Sequence, residues 1–308
     1  MKKNLNQTRK IIVIAGPTAS GKTDLAKTLS NKFNGEVISA DSRQIYRGMD
    51  IGTGKDKTFF QHMIDIRDPN EDFSVAEFQK ETYKIIDNIF SRGRIPFLVG
   101  GSGLYINAVI YGYQFPKTDP HLRSKIESLS ADELIEKLKK FDPASAEKNI
   151  NNHRRLARAL ESYLYNSRPL SEYKKEKPNF QYLMLGIDIP REELYARIDR
   201  RVDSRIKEGM IEEIDKLLKS GVSYERLHRF GLEYRFVSEY LQQVNSQKYF
   251  ANHHEPIVNC LKQEMIQKLK FKIHDFARRQ LTWFRRNKEI NWIQNDNQAE
   301  KLIHQFFE

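Results

Sequence analysis

Residues 11–24 read Ile-Ile-Val-Ile-Ala-Gly-Pro-Thr-Ala-Ser-Gly-Lys-Thr-Asp. The run Ile11 to Ala15 is apolar and rich in β-branched residues, as a strand buried in a parallel sheet requires. It breaks at Gly16, and from Lys22 onward Leu25, Ala26, Leu29 and Phe33 fall on one face of a helix. The break itself, Gly16, Pro17, Thr18, Ala19, Ser20, Gly21, Lys22 and Thr23, fits G-x-x-x-x-G-K-[ST], the loop that cradles phosphates. Gly16 and Gly21 let the backbone turn its N–H groups inward, and the helix N-terminus adds partial positive charge. Lys22 then reaches an outer phosphate, and the Thr23 hydroxyl is placed to sit on Mg²⁺. A functionless tight turn is the plain alternative, but a match set between a strand and a helix is rare. The stretch predicts a di- or triphosphate site and an α/β fold, a P-loop-type parallel sheet flanked by helices.

The pattern continues outward. Residues 36–41, Glu-Val-Ile-Ser-Ala-Asp, read as a second short strand ending in a carboxylate. Ligands of doubly wound sheets bind beyond the carboxyl ends of the strands, so Asp41 falls on the same edge as the phosphate loop, followed by the polar Ser42, Arg43 and Gln44. The alternative makes Asp41 the cap of the next turn. Gln61 to Ile66 reads as a strand, and Ser74 to Glu77 is a capping box opening a helix with Val75, Phe78, Thr82, Ile85 and Ile89 inward. Ile95 to Val99 is a strand with Pro96 at its start, running into Gly100, Gly101, Ser102 and Gly103. That strand ends in glycine, where many nucleotide hydrolases carry a Mg²⁺-holding aspartate. Two other strands do end in aspartate, at Asp41 and Asp188, so the absence weighs against hydrolysis without excluding it.

From about Gln114 to Pro178 only helical periodicity appears, which predicts an all-helical insertion domain at 116–179 within a core of 1–115 and 180–308. In it Arg154 and Arg158 lie one turn apart beside Arg155, opposite a stripe of Leu156, Leu160 and Tyr163. Such a face is either solvated or phosphate-binding. The sheet resumes at Gln181 to Asp188. Residues 191–219 read as one long helical stretch whose Arg197, Arg200, Arg201 and Arg205 serve a pyrophosphate, an RNA backbone or only local acids. Gly221 marks a helix stop. Residues 261–287 form the clearest late helix, with Ile266, Leu269, Ile273, Phe276, Gln280 and Trp283 on one face and Lys272, Arg279 and Arg286 on another. A buried Gln280 needs a partner for its amide, backbone or ligand. The tail after Trp292 is polar and reads as peripheral.

Composition bounds the reading. The chain has 308 residues, a net charge of +11 and one cysteine, Cys260, which reads as an ordinary buried thiol. A single cysteine rules out an internal disulfide framework and a cysteine-rich zinc site. There is no apolar run of membrane-spanning length, and the start Met1-Lys2-Lys3 lacks the apolar stretch of a signal peptide, so a cytosolic protein with no membrane association is expected. The positive charge suits a polyanionic partner.

In order along the chain, Gly16 to Thr23, the stretch Ser39 to Thr53, His62 to Ile66, Val99 to Ser102, Arg154 to Leu160 and Ala277 to Trp283 resemble the bacterial-type tRNA dimethylallyltransferases, the IPP transferase family. The Ser39 to Thr53 stretch, Ser-Ala-Asp-Ser-Arg-Gln-Ile-Tyr-Arg-Gly-Met-Asp-Ile-Gly-Thr, is far more specific than the phosphate loop. The resemblance implies transfer of a dimethylallyl group from dimethylallyl diphosphate to N6 of adenosine 37 in tRNA. It places the diphosphate on the Gly16 to Thr23 loop with Mg²⁺ at Thr23, makes Lys22 and Thr23 part of the catalytic set, and makes Asp41 the base. It puts tRNA on Asp41, Ser42, Arg43, Gln44, Ser102 and Arg123, on Arg154, Arg155, Leu156, Ala157 and Arg158, and on Arg229 and Arg235. It also implies a monomer in the cytoplasm. Serine stands at 102 where the family more often has threonine, and Gly231 to Tyr234 is longer than the usual Gly-Tyr, which shifts roles within Arg229 to Arg235. A small-molecule kinase and a non-catalytic RNA-binding protein are the rival readings; the Ser39 to Gln44 stretch opposes the first, and a carboxylate beside the phosphate loop opposes the second.

Overall fold

The structure is a computed structural model describing residues 9–247 and 255–308; the Met1-Lys2-Lys3 start lies outside the described residues. Strands β1 (Lys10–Ala15), β2 (Gly35–Ser39), β3 (Gln61–His62), β4 (Ile95–Gly100), β5 (Gln181–Ile187) and β6 (Ile290–Ile293) form one sheet in the order β3-β2-β4-β1-β5-β6. Every neighbouring pair is parallel. Ile11 to Ala15 of β1 are all buried, which is why that run is apolar throughout instead of alternating.

The chain divides into two compact units, one running to Ile106 and resuming at Asn179, the other Asn107–Pro178. The second unit begins at Asn107, within α3 (Gly103–Tyr111), ahead of the insertion start expected at 116.

In the sheet unit, α1 (Lys22–Lys32) buries Leu25, Ala26 and Leu29 against β1, with Phe33 beside them. Helix α2 (Val75–Ser91) opens on the expected capping box: Ser74 Oγ accepts from Glu77 N, and the Glu77 carboxylate accepts from Ser74 N at 2.9 Å. Its buried residues are Phe78, Thr82, Ile86 and Ile89, so Ile86 takes the inward place expected of Ile85.

The second unit holds α4 (Pro120–Glu127), α5 (Ala131–Phe141), α6 (Pro143–Lys148) and α7 (His153–Asn166) around a core that includes Ile126, Leu134, Leu138, Leu156 and Leu160. Asp119, Ser130, Asp142 and Asn152 cap these helices in turn, which explains four short helices in so charged a segment.

After β5 the sheet unit continues with α8 (Arg191–Lys207), α9 (Met210–Lys219), α10 (Tyr224–Phe230), α11 (Leu232–Gln247), α12 (Glu255–Arg285) and α13 (Asp296–Phe307). Residues 191–219 are thus two helices, split at Gly209, whose φ of 100° no continuous helix accommodates. Among the described residues no helix is long and apolar enough to cross a membrane.

Other expectations are corrected. Only Gln61 and His62 of the stretch 61–66 pair as strand; Met63 and Asp65 take left-handed φ values of 66° and 55°. On α12 the buried aromatic is Phe284, 2 % exposed, while Trp283 is 40 % exposed, because the inward stripe runs 269, 273, 277, 280, 284. Cys260 is exposed rather than buried. The tail after Trp292 is not peripheral: β6 pairs with β5, and Ile293, Ala299 and Ile303 join the core of Ile12, Ile14 and Leu29. Its polar composition hides a helix capped by Asn295 with Ala299, Leu302, Ile303 and Phe306 at helical spacing.

Candidate functional site

The carboxyl ends of β1, β2 and β4 meet at a cavity of about 70 Å³ lined mainly by polar side chains. The phosphate loop forms its floor, contributing Thr18, Lys22 and Thr23. Gly21 takes φ 90° immediately before α1, and Ala19 takes 62°, the left-handed turns that bring the first amides of the helix round to one side. Gly16 lies close to the buried Ser20: a Cβ there would stand 2.7 Å from its Oγ and force that hydroxyl to turn away. Pro17 supplies its carbonyl to Lys22 Nζ at 3.1 Å.

Gln280, expected to need a partner, has two. Its Oε1 accepts from Thr18 N at 2.9 Å and its Nε2 donates to Gly101 O at 2.9 Å. One buried amide therefore ties α12 to both the phosphate loop and the turn after β4. The Thr18 amide is consumed by this bond and is not part of the anion cradle; Thr18 offers its hydroxyl instead, 3.5 Å from Arg201 Nη1.

The cavity is strongly cationic. Arg201 and Arg205 of α8 line it together with Arg43. Burial, then the nearby Arg201 guanidinium, pushes the Lys22 ammonium down to about 8. Burial, then Arg205, brings Arg201 down to about 10. Glu233, 4 % exposed, compensates part of this charge by accepting from Arg43 Nη1 at 2.8 Å and Arg205 Nη1 at 3.1 Å. Burial opposes the charge on Arg43, but the Glu233 and Asp41 carboxylates more than offset it and leave its pKa raised. Arg205 is lowered, burial outweighing Glu233. Its buried Nη2 has no acceptor among the described residues. Such a cluster favours a multiply charged anion.

Asp41 faces the same cavity. Its Oδ1 accepts from Arg43 N at 2.9 Å, the local turn foreseen as the bland reading, and no other hydrogen bond to its carboxylate is made among the described residues. A capping contact and a free oxygen thus coexist on one side chain. Ser42 N donates to Ser102 Oγ at 3.3 Å, joining the ends of β2 and β4. Gln44 accepts from Ser39 Oγ at 2.8 Å and its Nε2 lies 3.4 Å from both Thr53 O and Gly54 O, so its amide is largely spent within the protein.

A family model described as IPP transferase matches residues 44–287. The chain belongs to the IPP transferase family. It is 40% identical over 311 residues to the tRNA dimethylallyltransferase of Acetivibrio thermocellus, covering 95% of both chains. To the enzyme of that name from Pelotomaculum thermopropionicum it is 40% identical over 309 residues, covering 96% of this chain and 94% of the other. Among solved structures it resembles the tRNA isopentenylpyrophosphate transferase of Bacillus halodurans, with TM-score 0.67, 36% identity and coverage of 97% and 95%. It also resembles a eukaryotic dimethylallyltransferase acting on tRNA, with TM-score 0.73, 28% identity and coverage of 90% of this chain and 70% of that one.

Within this IPP transferase chain the remaining expected site residues have diverse surroundings. Arg229 and Arg235 do not line the cavity; both are exposed, Arg229 near Asp72 at 3.6 Å and Arg235 on Glu239 at 2.8 Å. In the helical unit Arg154 and Arg155 are exposed, free of any ion pair among the described residues. Arg158 and Arg123 are instead held by Glu161, 0 % exposed, at 2.7 and 3.0 Å. Leu156 and Ala157 are corrected outright: both are buried in that unit's core and offer RNA no surface. Sequence reasoning missed Glu233, Thr53, Gly54 and the role of Phe276 as cavity wall. Glu233 sat inside the segment Arg229 to Arg235, and an acid among arginines was the signal for it.

Proposed function

We propose that this chain transfers a dimethylallyl group from dimethylallyl diphosphate to the N6 amine of adenosine 37 in tRNA, releasing diphosphate. The observation that carries the reading is one cavity in which a carboxylate with a free oxygen, Asp41, faces the cations Lys22, Arg201 and Arg205. Its relatives, tRNA dimethylallyltransferases and a eukaryotic dimethylallyltransferase acting on tRNA, support the same reading.

The chemistry follows from these groups. The allylic C–O bond of the donor breaks as a C–N bond forms at N6, and negative charge grows on the departing diphosphate. Lys22, Arg201, Arg205 and the first amides of α1 stabilise that charge. The adenine N6 lone pair is delocalised into the ring, so the amine becomes a good nucleophile only as it loses a proton. Asp41 takes that proton on its free oxygen. The adenine must leave its stack to reach a cavity set at the ends of strands.

A Mg²⁺ fits the donor set: Thr23 supplies a hydroxyl, and this ion keeps several waters and takes phosphate oxygens rather than an all-protein cage. No group of three or more His, Cys, Asp or Glu able to hold a metal occurs among the described residues, as such a mode of binding allows. When bound, Mg²⁺ would neutralise charge on the leaving diphosphate. Arg154 and Arg155 are the candidates for RNA phosphate contact, and a cytoplasmic, monomeric enzyme is part of the same reading.

The direct test incubates the protein with unmodified tRNA and labelled dimethylallyl diphosphate, then digests the RNA. Label in N6-dimethylallyladenosine supports the proposal; tight ATP binding with steady hydrolysis and no labelled nucleoside restores the kinase reading.

A further inference from the structure

We propose that Glu213, on α9 and not among the cavity-lining residues, is a positioning residue of the anion site: it clamps the loop Asp50 to Gly54, and the loop's backbone seats Arg201 and Arg205. The inference rests on reading the cavity as a diphosphate site.

Three successive amides converge on this one carboxylate. Asp50 N and Ile51 N donate to Oε2 at 2.8 and 2.6 Å, and Gly52 N donates to Oε1 at 3.0 Å. Successive N–H groups curved in this way form an anion-binding nest, here filled by the chain's own side chain. The buried Tyr234 hydroxyl gives Oε1 a further donor at 2.9 Å. No Lys, Arg or His pairs with Glu213 among the described residues, so it is not an ordinary surface ion-pair acid. A Cβ on Gly52 would stand 2.7 Å from Tyr234 Oη, which leaves the loop no slack on that side.

The opposite side of the same loop touches the cations. Gly52 O accepts from Arg205 Nη1 at 3.0 Å. A Cβ on Gly54, at φ 62°, would collide with Nη2 of both Arg201 and Arg205, so the guanidinium groups lie directly on bare backbone. Displacing the loop therefore displaces both groups that would hold a diphosphate. An ionised carboxylate only accepts hydrogen bonds, whereas an amide would set its own N–H₂ against one side of the nest. Glu213→Gln keeps the volume and disrupts the clamp.

The experiment measures inorganic diphosphate affinity by calorimetry, donor KM, tRNA affinity and melting temperature on the full chain. Glu213→Gln should weaken diphosphate binding about tenfold, the equivalent of one charge-assisted hydrogen bond, and raise donor KM in parallel. Its tRNA affinity should fall by less than its diphosphate affinity. Gly54→Ala, which presses on the same guanidinium groups from the loop, should show the same pattern. Ile303→Ala, on the buried face of α13, should lower the melting temperature without touching diphosphate affinity. Wild-type diphosphate affinity and KM in Glu213→Gln would overturn the inference even if Gly54→Ala is weakened, as would an equal weakening in Ile303→Ala. If the wild-type protein itself binds no diphosphate, the reading of the cavity fails first and takes this role with it.

Discussion

Replacing Gln280 by leucine removes two hydrogen bonds without changing side-chain volume much. Thr18 N–H and Gly101 C=O each lose a partner at 2.9 Å. A buried polar group left unpaired costs about 1–3 kcal/mol. The cavity beside these groups is polar, so water relieves part of the penalty, and a total of about 2–3 kcal/mol is expected. At about 2 °C per kcal/mol for a large chain, the melting midpoint should fall by roughly 4–6 °C. The functional loss should exceed the loss of stability: Thr18 begins the turn that aims the α1 amides, and a freed loop binds diphosphate less well. Calorimetric titration with inorganic diphosphate and a melting curve on Gln280→Leu test both halves. A melting point within about 1 °C of wild type, with unchanged affinity, would show that the amide bridges nothing of consequence.

The other predictions concern single groups. Asp41→Asn should slow the single-turnover chemical step by about 10²- to 10⁴-fold while leaving diphosphate affinity nearly intact; a near-wild-type rate removes Asp41 from proton transfer. Burial and Arg201 push Lys22 down to about 8, and a bound anion raises it again, so near and above pH 8 binding takes up a proton and the Lys22 contribution to affinity falls progressively from pH 8 upward. Calorimetry across pH 7 to 9 should show this loss in wild type and not in Lys22→Arg, whose charge persists; identical pH profiles would refute it. Replacing Arg154 and Arg155 together by alanine should flatten the salt dependence of tRNA binding by about 1.4–1.8 in log–log slope. Arg158→Ala should instead lower stability, because it strips a partner from buried Glu161; a filter-binding salt series and melting curves separate the two outcomes.

What the sequence made legible was local. The phosphate loop, the strands around it and the capping box of α2 each lie within a few residues of their own signal. Asp41 was placed by the same logic, since a strand's end fixes the edge on which the next residue lies. Arg201 and Arg205 were visible as candidates, but helical spacing alone does not say which arginines of α8 turn inward. Glu233 and Glu213 escaped because their partners come from distant segments, Arg43 and the amides of Asp50 to Gly52. The tail was misjudged for a related reason: four residues of β6 make a strand only because β5 supplies an open edge. Leu156, carried by resemblance as an RNA-binding position, already sat on the apolar stripe of its helix, whereas the burial of Ala157 shows only in the fold.

The bond between Thr18 and Gln280 joins residues 262 positions apart. On a ribosome adding about 5–20 residues per second, the loop is made roughly 13–50 s before the side chain that fixes it. During that interval β1 lacks β5, its partner along one whole side, until residue 187 has been made. The anion site is thus one of the last features the nascent chain acquires. A product cut short before α12 would carry the whole phosphate motif and still lack the amide that sets it. Premature termination should therefore yield fragments that retain the signature, bind no diphosphate, and expose a sheet edge to aggregation.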